Sequence, residues 1–178
     1  DYDSQSFLFQ FNSSFIYRKN GEDILYEGSF SVFNPLADRI IFFKDNTLFS
    51  MNMEGSDVEE VVSFDSLSTY GTFHNMIDFK EEDVFVCVLT TDYFIGSITD
   101  TCSIVLYDGD DFHYLTEGSN PQWLDDETIL FERYLLSYNG ISKLFTININ
   151  TLTISYFTDG LNASVSSDGS QIAFVSKY

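Results

Sequence analysis

Residues 114–133, "YLTEGSNPQWLDDETILFER", and residues 156–176, "YFTDGLNASVSSDGSQIAFVS", read as two copies of one unit. In each, a run rich in aromatic and β-branched residues closes on Thr-x-Gly, a turn-forming stretch follows, and a second apolar run ends the copy. The closing glycines, Gly118 and Gly160, lie 42 residues apart. A third such ending, "ILYEG" at Gly28, lies 90 residues before Gly118, which leaves room for one more copy, filled by the divergent "VEEVVSF" of residues 58–64. A second register supports the first: Phe42, Phe85, Phe131 and Phe174 each sit in an apolar run, with gaps of 43, 46 and 43. An all-β chain with a period near 40–45 residues predicts the four-stranded blade of a β-propeller. The periodic Phe residues are then core, each packed between neighbouring sheets.

Outward from these copies, the second unit's strands are predicted at 29–34, 39–43, 47–52 and 58–64. The third unit's fall at 72–77, 83–89, 102–107 and 112–116, and the fourth unit's at 120–124, 128–132, 143–148 and 153–158. The chain begins with "SFLFQFN", "SFIYRKN" and "EDILYEG", which match the second, third and fourth strands of a blade, and it finishes with "NASVSS" and "QIAFVS", a first and a second strand. Sixteen strands close a four-bladed ring, so one second-type strand is surplus. The expected architecture over residues 1–178 is therefore one domain, a β-propeller of about four four-stranded blades with a surplus terminal strand, or a fragment of a larger propeller. Unpaired strand edges recruit further strands. That places a candidate assembly edge at Phe7, Phe9, Phe11, Ile172 and Phe174, where a head-to-tail contact between copies would build a filament.

The two quoted copies resemble the blade signature of TolB-type propellers, which also occurs in the propeller domains of prolyl-oligopeptidase-like enzymes. Leu115, Thr116, Gly118, Pro121 and Trp123 match the signature in one copy, and Asp168, Gly169, Ile172, Ala173 and Phe174 in the next. Ser167 stands where that signature has Pro before Asp-Gly, and Asp126-Glu127 replaces Asp-Gly in the preceding unit. The resemblance implies a propeller and a core position for Trp123.

Composition narrows the function. Aromatic residues make up 17% of the chain, which excludes a disordered acidic tail. Lys and Arg number 8 against 28 Asp and Glu, a net charge of −20 that repels nucleic-acid backbones and anionic membrane surfaces. The longest unbroken apolar run, residues 84–89, is far too short to cross a bilayer as a helix. Residue 1 is Asp rather than Met, which fits a processed, secreted form located in the extracellular space or periplasm, a fragment or a trimmed chain.

Groups for covalent or metal chemistry are scarce. Only two His and two Cys occur, with no Gly-x-Ser-x-Gly elbow, phosphate-cradling glycine loop or His-x-x-x-His pair. Asp108, Asp110 and Asp111 form the best candidate for Ca²⁺, set against a plain solvated hairpin turn. If the long excursion between two strands extends the hairpin, Cys87 and Cys102 face each other, and they form either a disulfide or a pair of buried thiols. Asn12 and Asn162 stand in Asn-x-Ser sequons.

Three functions fit. The chain is a non-catalytic interaction or structural subunit that associates with itself or another protein, a propeller that gates or positions a hydrolase encoded outside it, or a glycan binder. The first is preferred, with no cofactor expected.

Overall fold

A computed structural model describes residues 7–11, 14–19, 22–34, 38–67, 72–81, 83–90, 102–135, 141–166 and 168–176. It forms two compact units, Asp1–Thr69 and Tyr70–Tyr178.

The first unit holds two antiparallel sheets. Strands β1 (Phe7–Phe11), β2 (Ser14–Lys19) and β3 (Glu22–Glu27) make the described sheet of blade 1. Blade 2 is β4 (Ser29–Asn34), β5 (Arg39–Lys44), β6 (Thr47–Asn52) and β7 (Glu59–Ser63). The second unit holds blade 3, with β8 (Thr72–Phe79), β9 (Phe85–Thr90), β10 (Cys102–Tyr107) and β11 (Phe112–Glu117). Blade 4 follows, with β12 (Ser119–Trp123), β13 (Thr128–Leu135), β14 (Ile141–Asn148) and β15 (Ile154–Asp159). A two-stranded half-blade, β16 (Leu161–Val165) and β17 (Ile172–Val175), follows blade 4. Strand types and order agree with the expectation: second to fourth strands open the chain and a first and second strand close it.

The local chemistry explains the hairpins. Asp45 and Asn46 both hold positive φ, 48° and 61°, between the paired residues Lys44 and Thr47, the backbone a two-residue hairpin loop needs. At the end of the third strand of blades 2, 3 and 4 one side chain caps the next turn. Asn52 Oδ1 accepts from the amides of Glu54 and Ser56, Asp108 Oδ1 from Asp110 and Asp111, and Asn148 Oδ1 from Asn150 and Thr151.

Apolar faces of adjacent sheets make the core. Val86, Val88, Ile104, Leu106 and Leu115 of blade 3 pack against Ile129, Phe131 and Ile147 of blade 4. The opposite face of blade 4, Leu130 and Leu144, packs on Ala163, Val165 and Ile172. Inside blade 3 an aromatic row crosses all four strands, Phe79 to Phe85 to Tyr107 to Phe112, each opposite the next, with ring centroids 4.9–5.4 Å apart.

Two expectations are corrected by the register. Phe42 and Phe131 occupy one position, each stacked on a third-strand Phe, Phe49 or Phe145. Counted from the start of the blade, Cys87 fills that position in blade 3, while Phe85 matches Ile129 one same-face step earlier. With Cys87 in the series the spacing becomes an even 45, 44 and 43. Cys87 and Cys102 are not opposite one another. Cys87 pairs with Val105 and Cys102 with Thr90, so they sit three ladder steps, roughly 10 Å, apart on opposite faces, and neither is in a disulfide.

Candidate interaction edge in the terminal half-blade

The half-blade is built from the same parts as its complete neighbour. A Gly-x-Asn step opens each first strand, Gly118-Ser119-Asn120 in β12 and Gly160-Leu161-Asn162 in β16, and both asparagines hold positive φ, 49° and 53°. A bulge follows at the same place in both strands. A Cβ on Gly118 would come within 2.6 Å of the Phe131 ring, and one on Gly160 within 2.7 Å of the Phe174 ring. The repeating glycines and phenylalanines are therefore one contact, repeated: the second-strand ring lies against the backbone where the previous blade ends.

Side chains of blade 4 satisfy the backbone of β16. The Asn120 amide donates to Glu132 Oε1 at 2.8 Å and to the Ala163 carbonyl at 3.1 Å. Gln122 Nε2 donates to the same carbonyl at 2.5 Å, and its Oε1 accepts the Val165 amide at 2.8 Å. Glu132 Oε1 accepts the Ala163 amide at 3.2 Å. The turn into β17 is tied by Asp168, whose Oδ1 accepts from Ser166 Oγ at 2.6 Å and from the Ser170 amide and hydroxyl. These donors hold the Asp168 carboxyl down at about 2.

Beyond this anchorage several outer side chains of the half-blade are exposed. Phe131 and Phe42, each stacked on a third-strand Phe, are 0% and 5% exposed, whereas Phe174, on a β17 that pairs only with β16 among the described residues, is 38% exposed and Val175 52%. Asn162 and Ser164, the counterparts of Asn120 and Gln122, are also exposed. Of the anticipated edge residues, Ile172 packs inward beside Leu130 and Leu144, while Phe174 faces outward. Phe7, Phe9 and Phe11 lie on β1, the edge strand of blade 1, described here by its backbone alone. Asn12 falls outside the described residues, and Asn162 is exposed on its bulge.

Asp108 serves its own turn. Its Oδ2 lies 2.7 Å from His113 Nε2, and the Asp111 and Asp110 amides with His113 hold its carboxyl down at about 2. Blades 2 and 4 place Asn at this position, and the side chain caps its turn in all three blades. Among the described residues no group of three or more His, Cys, Asp or Glu could hold a metal ion, and no helix is long and apolar enough to cross a membrane.

Sequence reasoning missed the clamp of Asn120, Gln122 and Glu132. The shared Gly-x-Asn step was the available signal, since Asn tolerates the left-handed backbone of a bulge better than most residues.

Compared with known protein families and with curated protein sequences, the chain matches none. Solved structures do match. The crystal structure of TolB from Acinetobacter baumannii aligns with a TM-score of 0.63 and 12% identity over 92% of this chain and 43% of that one. Dipeptidyl peptidase 4 from Porphyromonas gingivalis aligns with a TM-score of 0.54 and 12% identity over 95% of this chain and 34% of that one. The chain thus spans less than half the length of either. The fold is a TolB-type β-propeller.

Proposed function

We propose that the chain is a non-catalytic protein-interaction subunit, secreted or displayed at a cell surface, that joins its partner through the edge of β17. One observation carries the reading: among the described residues Phe174 stands 38% exposed at the position where Phe42 and Phe131 are each stacked on a third-strand Phe. A strand added beside β17 would gain main-chain hydrogen bonds and cover that ring, with alternating side chains setting register. The favoured donor is β1 of a second copy, whose Phe-Leu-Phe-Gln-Phe supplies aromatic residues to set opposite Phe174. Repeated head to tail, the contact extends without closing.

The test compares the intact chain with Phe174→Lys and with a truncation removing residues 171–178. Light scattering of the intact chain should show growth with concentration, and Phe174→Lys should be monodisperse with an unchanged far-ultraviolet circular dichroism spectrum. A monodisperse intact chain at high concentration, or undiminished assembly of Phe174→Lys, overturns the proposal. The likeness to a dipeptidyl peptidase 4 favours a second reading, a propeller that positions a hydrolase. A Gly-x-Ser-x-Gly elbow in the flanking reading frame would support it.

A further inference from the structure

The last strand of a blade is a sheet edge, and charged side chains are the usual guard of one. β7 opens with Glu59 and Glu60, and β3 carries Glu22, Asp23 and Glu27. β15, the last strand of blade 4, carries no charge before Asp159, which is tied to Lys143 Nζ at 3.3 Å and to the Tyr156 hydroxyl at 2.9 Å. Residues 144–158 are the longest run without a formal charge in a chain that is 20% charged.

That neutral edge is also apolar. Of the nine large apolar side chains exposed among the described residues, four fall within residues 152–157: Leu152, Ile154, Tyr156 and Phe157. Ile154 is 39% exposed and Tyr156 56%, and they share one face of the sheet with their ladder partners Ile147 and Phe145. The backbone is oriented as well. The Asn148 amide donates to the Thr153 carbonyl at 3.1 Å, so Thr153 and Ser155 turn their backbone groups toward β14, while Ile154 and Tyr156 turn theirs to the free edge. A bulge at Phe157 ends the regular stretch.

We propose that β15 pairs antiparallel with β15 of a second copy of this chain, about a two-fold axis at Ser155. Ile154 of each copy then meets Tyr156 of the other, so residues with outward backbone groups exchange hydrogen bonds and each apolar side chain covers another. Within residues 153–157 no other register covers both. A second copy is the occupant because the edge complements itself and is uncharged. Two chains of net charge −20 repel over most of their surface and least where neither carries a charge. A two-fold contact closes, so it gives a dimer where the β17 edge gives growth. The β15 contact stands without the β17 one.

The experiment uses the full chain carrying Phe174→Lys, which removes growth through β17, and weighs it by sedimentation over a concentration series. Its mass should rise toward twice 20.4 kDa. Adding Ile154→Lys, a charge at an exposed edge position, should leave a monomer with an unchanged far-ultraviolet circular dichroism spectrum. In the same background Ser155→Cys should cross-link to itself on mild oxidation, because a non-hydrogen-bonded pair at the axis brings the two Cα atoms to about 4.5 Å, and Thr153→Cys should not. Peptide mapping locates the bond. A monomer at every concentration, a dimer that survives Ile154→Lys, or equal cross-linking of Thr153→Cys overturns the proposal. Continued growth of Phe174→Lys overturns the β17 contact instead, and the Ser155→Cys cross-link still decides this one.

Discussion

Gly118 and Gly160 show how much depends on one hydrogen atom. A methyl group on Gly118 would meet the Phe131 ring at 2.6 Å, the Glu132 carbonyl at 2.8 Å and Ile104 at 3.0 Å, all enclosed. Gly118→Ala should therefore cost about 1–3 kcal/mol in a denaturant melt, in the range of overpacked cores. Gly160→Ala should cost less, because the Phe174 ring it meets is partly exposed and can swing away. Two carboxylates set an acid limit. Asp108 and Asp168 have folded values of about 2, below the ordinary Asp value of roughly 3.9. Their contribution is whole above about pH 4 and is lost as pH falls toward 2. Melting temperature should fall across that window, and Asp168→Asn should flatten part of the slope. The glycine and phenylalanine series was legible in the sequence because each recurs at a near-constant interval. The Cys87 exchange was not, since only the ladder reveals that Phe85 stands one same-face step early.

Among the elements, strand positions were legible to within two or three residues, because alternation and turn residues mark both ends of a hairpin. What joins one blade to the next was not, because side-chain-to-backbone bonds depend on where a bulge aims each residue. Gln122 is the clearest case. Removing its side chain takes one partner from the Ala163 carbonyl and the partner of the Val165 amide, so Gln122→Ala should cost about 1–3 kcal/mol and speed hydrogen exchange at Val165. At the seam of blades 3 and 4, Asp78 Oδ2 accepts the Trp123 amide at 2.7 Å, and burial raises the Asp78 carboxyl despite that bond. This group works in the opposite sense from Asp108, costing stability at neutral pH and gaining as acid neutralises it. Asp78→Asn, which keeps an acceptor without a charge, should melt no lower than the parent at pH 7, while Asp78→Ala should melt lower. The thiols separate as well. Cys87 is 0% exposed and burial pushes its thiol up, so a thiol reagent should modify Cys102 first and reach Cys87 only on unfolding.

For the whole molecule, the count of strand types was readable from residue spacing alone, and with it, among the described residues, the three strands of the first sheet and the two of the last. A net charge of −20 repels itself in any compact form. Raising salt from low to moderate ionic strength should therefore raise the melting temperature, and calorimetry at matched pH measures it. Trp123, the sole tryptophan, lies at the seam between β8 and β12. Its indole N–H has no partner among the described residues, the Lys80 ammonium lies 5.3 Å from its ring centre, and Lys80 donates to the Asp126 carbonyl beside it. The protein thus carries its own optical gauge: with one emitter under one cation, the wavelength of its fluorescence reports the parting of a single pair of blades.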